Sequence, residues 1–293
     1  MILNPASGGG RVRKSLDRIR AAFDQFQPDY LTTTRAGEEE RLAREAAAAG
    51  IETIVVVGGD GTWGNAAHGI VQSGARPRVA LLAAGTGNDF VKSLGAPADD
   101  PAAMAQLIRS GAERLVDVGR VDGRVFLNCL GVGFDASVLA RTERMHGIQG
   151  PLRYLAAALA ELFSYRSEPI HIEPWTGAAG HETLLLVFAN GAWYGGMFHI
   201  APGAAPDDGM LMAVRVSDMR GLRRLGLLAS AVRGGHVASE GVEISSGARF
   251  SLSCNSPPLL NTDGELRRAT SAELEVTVEP GALRIVAPGV RSE

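Results

Sequence analysis

The 293-residue chain has only two cysteines, Cys129 and Cys254, and no CxxC pair. Two isolated thiols in apolar, strand-like surroundings argue against a disulfide framework or a thiolate metal site, so a reducing cytoplasm is the expected compartment. Aromatic residues are sparse at 5%, and neither sign of charge dominates: 29 Lys and Arg against 32 Asp and Glu leave a net −3. Without a basic field, nucleic acid is not an expected partner. Long apolar runs are missing too. YLAAALAELF at 154–163 is broken by Glu161 and falls well short of the roughly 20 residues of a membrane span. Met1-Ile2-Leu3 passes at once into a glycine loop, so no signal peptide is expected. Any contact with a membrane is then peripheral.

Hydrophobic residues at 45% and charged residues at 21% describe an ordinary globular chain, long enough for two domains. Its first third alternates strands and helices. MILN runs into the loop PASGGG, and Val12, Leu16, Ile19, Phe23 and Phe26 recur at helical spacing. DYLTTT is strand-like, EEERLAREAAAAG is a helix with acidic residues in its first turn, TIVVVG is a buried strand, and 64–73 is helical. RVALLAAG is another buried strand, and Pro101 opens a helix to about Ser110. Continuous apolar strands between helices imply a parallel sheet covered on both faces. Near residue 115 the pattern changes to short strands. They start with a hairpin around Asp122-Gly123 and are interrupted by helical intervals at about 137–166 and 218–233.

Three of the early strands end in small-residue loops: NPASGGG at 4–10, GGDGT at 58–62 and AAGTGND at 83–89. In an open parallel sheet those ends share one edge, where bare N–H groups and helix N-termini suit phosphate oxygens. Asp60 among such donors makes sense if a divalent cation accompanies the phosphates. Gly59-Asp60-Gly61-Thr62-Trp63-Gly64 also fits GxGxxG, but no Asp or Glu stands between Gly61 and Asn88 to bind a ribose, so a dinucleotide site fails its own context. GGGRVRKS carries Arg13 where a Walker A loop needs glycine.

Asn4-Pro5-x-Ser7-Gly8, Gly58-Gly59-Asp60-Gly61-Thr62-x-x-Asn65 and Gly85-Thr86-Gly87-Asn88-Asp89-Phe90 together resemble the diacylglycerol kinase catalytic-domain family, which includes soluble bacterial lipid kinases and is related to sphingosine and ceramide kinases. FLNCLGVGFDA, ANGAWYGGMFHIAPGAAPDDGMLMAV and NTDGEL extend the resemblance over nearly the whole chain. It implies an α/β domain with a parallel sheet at 1–120, rejoined by 282–293, and an antiparallel β-sandwich at 121–281 that receives the lipid. ATP would lie between them.

The resemblance further implies a role for each matching residue. Asn4, Ser7 and Gly8 would line the first phosphate loop, and Thr33 would touch the nucleotide. Gly58, Gly59, Asp60, Gly61, Thr62 and Asn65 would hold phosphates, with Gly85, Thr86 and Asn88 beside them. Asp208, with the carbonyls of Ala205 and Met210, would bind Mg²⁺. Glu265 would be the catalytic base, beside Asp263 and Asp60. Some relatives carry a lysine directly after Ser-Gly. Gly9 stands there, leaving Arg11 or Lys14 as the substitute cation.

The expected activity is transfer of the ATP γ-phosphoryl group to a hydroxyl of diacylglycerol or a related lipid presented at a membrane surface, by a cytoplasmic protein. A homodimer is compatible with the sequence. Two other readings share the motifs: an NAD kinase-like phosphotransferase and a non-catalytic nucleotide-binding regulator. Read alone, Asp263-Gly264-Glu265 and Asp207-Asp208-Gly209 are ordinary turns, and Trp63 and Trp193-Tyr194-Gly195-Gly196-Met197 serve equally as core or as acceptor border. The segment 145–165 could face a bilayer or simply pack as a helix.

Overall fold

The structure is a computed structural model describing residues 1–85, 87–145, 151–174, 182–219 and 221–289. Its first strands are β1 (Ile2–Leu3), β2 (Leu31–Thr32), β3 (Thr53–Gly58) and β4 (Arg78–Ala83), all parallel, in the order β2-β1-β3-β4. Between them run α1 (Arg11–Phe23), α2 (Glu38–Ala48) and α3 (Asp60–Ser73), and after them α4 (Asp89–Leu94) and α5 (Pro101–Ser110). One face of the sheet buries Val56 and Leu81 under Trp63 and Ile70 of α3 and Ala43 of α2; the other buries Val57 and Leu82 under Val12 and Phe23 of α1 and Met104 of α5. Trp63, 1% exposed, is therefore core and not acceptor border.

Local chemistry accounts for the element ends. Asp100 accepts hydrogen bonds from the N–H groups of Ala102 and Ala103, Pro101 occupies the first helical position, and Gly111 closes α5 with φ +75°. The strands β5 (Arg114–Val121) and β6 (Arg124–Phe126) turn at Asp122 and Gly123, whose φ values of 49° and 74° are those of a hairpin that matches strand twist. One boundary differs from the sequence reading. α3 begins on Asp60 itself, because extended Gly59 ends the strand and leaves Asp60-Gly61-Thr62 as the first helical turn.

The remaining elements are β7 (Cys129–Gly133), α6 (Phe134–Arg144), α7 (Pro151–Ser164), β8 (Glu168–Glu173), β9 (Glu182–Ala189), β10 (Leu211–Ser217), α8 (Leu222–Ala231), β11 (Val242–Gly247), β12 (Arg249–Cys254), β13 (Leu259–Thr262), β14 (Glu265–Arg268) and β15 (Glu273–Ile285). Two antiparallel layers close over Phe126, Leu130, Phe188, Phe250, Leu252 and Val276. The helical interval expected at 137–166 is two helices, α6 and α7. The strand β15 crosses the whole molecule. It pairs antiparallel with β12 and β5, is kinked between Glu279 and Leu283, and then lies parallel to β4 through Arg284 and Ile285. Both halves thus share one hydrogen-bonded sheet.

Candidate active site

The parallel strand order reverses direction between β1 and β3, which opens a crevice at the carboxyl ends of these strands. Asn4 follows β1 there, and its Nδ2 donates to Thr62 Oγ1 at 2.9 Å, tying the first loop to the start of α3. Thr33 follows β2 and is buried, its N–H donating to the Leu3 carbonyl. The N–H groups of Ala84 and Gly85 both donate to Gly58 O, drawing in the loop after β4.

The contact is so close that side chains do not fit. A Cβ on Gly8, at φ +59°, would stand 1.7 Å from Ala84 O. On Gly59 it would stand 2.9 Å from Gly85 Cα, and on Gly58 2.4 Å from Thr62 Cγ2. These glycines let three loops meet on bare backbone. Neither α1 nor α3 has a side-chain cap at its N-terminus, which leaves first-turn N–H groups without a capping side chain. The motifs expected to hold phosphates are thus brought together at one edge, except Thr86, which lies outside the described residues. Ser7 Oγ is 3.6 Å from the Cβ position of Gly59, and Asn88 Nδ2 donates to Gly85 O. Asn65 is turned elsewhere: its Nδ2 donates to Glu39 Oε1 at 3.1 Å, and its Oδ1 accepts from Arg124 Nη2 at 2.9 Å. Of the two substitute cations, Arg11 lies on the loop, its Nε donating to Gly8 O at 3.1 Å.

Four acids follow. Asp60 Oδ1 accepts the N–H groups of Asp89 and Phe90 at 2.8 and 3.3 Å, joining α3 to α4. Burial, then the Asp89 charge, push its carboxyl up to about 7. Asp89 accepts from Lys92 Nζ at 2.6 Å and from the Gly196 N–H at 2.9 Å, reaching across to the second domain. Asp263 is held harder still. Its Oδ2 accepts the Leu127 N–H at 2.6 Å, and its Oδ1 accepts those of Asn128 and Cys129 at 2.8 and 3.0 Å. Burial raises its carboxyl to about 6 against those three bonds, which favour the charged form.

Glu265 differs. It follows the β13–β14 turn, where Asp263 and Gly264 have φ values of 53° and 93° and Thr262 faces Glu265. The residue is exposed, and its side chain lies over the first turn of α3, with Oε1 2.8 Å from the Cβ position of Gly61. Proximity of protein, then the Glu39 charge, raise its carboxyl above the usual range. Its solvent-accessible surface makes it a group at the cleft edge.

A cavity of about 550 Å³ begins at Asp60, Asp89 and Asp263 and continues past Tyr194 and Met197 to Leu139, Leu155 and Leu228 of α6, α7 and α8. Acids stand at one end and aliphatic side chains at the other. Trp193 stacks on His199 at 4.5 Å with Lys92 over its ring. His68 accepts the Val125 N–H through Nδ1, and burial lowers it to about 4, which fits a structural reading.

Magnesium takes hard oxygen donors. The donor set at Gly87 fits: a Cβ there would be 3.1 Å from both Asp60 Oδ2 and Asp89 Oδ2, so two carboxylates converge on a space that no side chain fills. At the other expected metal position, Asp208 Oδ1 accepts the Met210 N–H at 2.9 Å in an exposed turn. Asp207 pairs with Arg114, and buried Asp117 fastens this turn by accepting the Gly209 N–H and fastens the β15 kink by accepting the Gly281 N–H. Among the described residues no group of three or more His, Cys, Asp or Glu is placed to hold a metal.

Residues 1–121 match the diacylglycerol kinase catalytic domain, and residues 128–287 match the YegS C-terminal NAD kinase beta sandwich-like domain. The chain belongs to the diacylglycerol kinase and YegS-like lipid kinase family. The diacylglycerol kinase of Bacillus subtilis (strain 168) is 28% identical over 270 residues, covering 90% of this chain and 88% of that protein. A Pseudomonas fluorescens protein named "Probable lipid kinase YegS-like" is 32% identical over 291 residues, 94% of this chain and 90% of its own. A solved diacylglycerol kinase structure from Bacillus anthracis str. Sterne shares the fold, with a TM-score of 0.74 at 23% identity over 98% of this chain and 95% of that one. Membership of a kinase family implies use of ATP. No described helix is long and apolar enough to cross a membrane.

Sequence reasoning quoted Asp89 within a motif without giving it a role, although its place beside Asn88 was a signal. Lys92, Glu39 and Asp117 were missed. Each stands in an ordinary helix or strand pattern and becomes noticeable only through what it touches.

Proposed function

We propose that this chain transfers the γ-phosphoryl group of ATP to the hydroxyl of diacylglycerol or a closely related lipid. The observation that carries the reading is the continuous cavity that joins the acidic ends of the phosphate loops to apolar side chains of α6, α7 and α8. A nucleotide needs the first end, and a lipid with one hydroxyl needs both.

In this reading the loops after β1, β3 and β4 bind the triphosphate through backbone N–H groups. Asp60, with Asp89, would hold Mg²⁺, which when bound neutralises charge on the phosphates. The acceptor oxygen bonds to the γ-phosphorus as the bond to the β-bridging oxygen breaks and ADP leaves. Glu265 takes the hydroxyl proton, a contribution of roughly 10²–10⁴-fold. Asp263 acts as a positioning residue that locks the turn before Glu265 onto residues 127–129. Asp208 and the carbonyls of Ala205 and Met210 would hold a second, structural Mg²⁺. Exposed Leu155, Leu159 and Phe163 on α7, with Leu222 and Leu225 on α8, support a membrane-facing mouth for the cavity.

Radiolabelled ATP and Mg²⁺ with a panel of lipids in mixed micelles, and in parallel with NAD, test the reading. Labelled phosphatidic acid from wild type, and none from Asp60→Ala or Glu265→Ala, is the expected result. Label in NAD instead of lipid would overturn it in favour of an NAD kinase-like enzyme.

A further inference from the structure

Helix α3 presents Gly61, Asn65 and Gly69 at four-residue intervals, hence on one face. Glu265 covers that face at Gly61. Helix α2 covers it one and two turns on, so tightly that a Cβ on Gly69 would stand 2.1 Å from Glu40 O. Between the two lies Glu39, only 2% exposed. Its Oε1 accepts from Asn65 Nδ2, while its Oε2 is buried with no hydrogen-bond partner.

A buried carboxyl oxygen without a partner is costly. The natural remedy is near at hand but used elsewhere: Arg124 pairs with Glu40 Oε2 at 2.6 Å and with Asn65 Oδ1 at 2.9 Å. A residue kept solely for packing α2 against α3 would be served by alanine, as at Ala43 and Ala47 on the same helix. The arrangement therefore points to what Glu39 does to its neighbour.

We propose that Glu39 is a positioning residue of the active site, an acidic side chain on the Gly61–Asn65 face of α3 that keeps Glu265 poised as a proton acceptor. The inference rests on the reading of Glu265 as the base. Four charged groups on four elements act on the Glu265 carboxyl: Glu39 on α2 and Glu143 on α6 favour its protonated form, while Arg124 on β6 and Arg267 on β14 oppose them. Glu143 is exposed and screened by water, so Glu39 is the acid that acts from the interior. It makes Glu265 a stronger base at neutral pH, where a carboxylate of ordinary affinity is a poor match for a hydroxyl proton.

The test is a ¹³C NMR titration of the Glu265 carboxyl in the intact chain, for wild type, Glu39→Gln and Glu39→Asp, beside the pH dependence of kcat/KM with ATP and diacylglycerol. Gln retains an oxygen for Asn65 and removes only the charge. In Glu39→Gln the Glu265 midpoint is expected to fall by about half a pH unit or more, with the acid limb of kcat/KM moving the same way. Glu39→Asp, which keeps the charge, stays near wild type. An unmoved midpoint in Glu39→Gln overturns the proposal, as does an equal fall in Glu39→Asp, which would assign the effect to packing. A midpoint that moves in a chain that phosphorylates no lipid supports the coupling and sinks the kinase reading instead.

Discussion

The two walls of the cleft are built on opposite plans. On the α/β side, three loops meet through glycines whose Cβ positions are already occupied by neighbouring backbone. On the sandwich side, α6, α7 and α8 offer side chains with room between them, and Leu155, Phe163 and Leu222 stand in solvent at 46%, 70% and 80% exposure. The first plan suits groups of fixed geometry, phosphates read by backbone N–H groups. The second suits an acyl chain, which is recognised by area and not by direction. The difference teaches that rigidity in this molecule is concentrated where charge must be matched.

The sharpest way to break that comparison is to add one methyl group to each wall. Gly8→Ala meets both φ +59° and the Ala84 carbonyl 1.7 Å away. A loss of about 3 kcal/mol in denaturant unfolding is expected, with nucleotide binding abolished by calorimetry. Gly226→Ala on α8, where a Cβ meets nothing within 4 Å and the position is helical, should instead stabilise the chain by about 0.5–1 kcal/mol. Comparable losses at both positions would end the distinction.

Two neighbouring acids give the next contrast. Glu265→Gln should lower kcat roughly 10²–10⁴-fold with an unchanged melting temperature, since its side chain makes no hydrogen bond that folding relies on. Asp263→Ala strands three buried N–H groups and should cost about 2–3 kcal/mol of stability as well as activity. Thermal unfolding beside steady-state kinetics separates them.

A smaller effect lies in the pH dependence of stability. Asp60 is raised from 3.8 to about 7. The folded chain therefore holds a proton that the unfolded chain has released, which stabilises it fully below the lower value and ceases to do so as pH rises through the higher one. In urea titrations without nucleotide, Asp60→Asn should flatten the decline between about pH 4 and 7. A steeper decline would contradict the assignment. Smallest of all, if α7 faces a membrane as proposed, Leu155→Asp should reduce binding to anionic vesicles several-fold and leave unfolding unchanged; equal binding would count against that role for α7.

Much of the α/β wall was legible in advance. TIVVVG and RVALLAAG declared buried parallel strands by unbroken apolar runs, and glycine loops at their ends declared a backbone-lined site. Asp122-Gly123 and Asp263-Gly264 announced hairpin turns by residue type. What escaped was whatever depends on orientation. Asn65 stands in the phosphate motif, yet its side chain joins Glu39 and Arg124. Asp263 reads as a solvated turn acid, yet it is 5% exposed and binds three amides. Three successive glutamates at 38–40 read as a favourable first turn of a helix, although the middle one points inward.

By itself the sequence determined where strands, helices and glycine turns fall, because periodicity and backbone freedom are local properties. Tertiary structure alone decided that β15 would stitch the two halves into one sheet, that α6, α7 and α8 would wall a single cavity, and which acid would be buried and which left at the cleft edge. Those outcomes depend on what each side chain meets across the fold. Burial and the field of distant charges, unlike a turn, are set by neighbours that sequence spacing does not name.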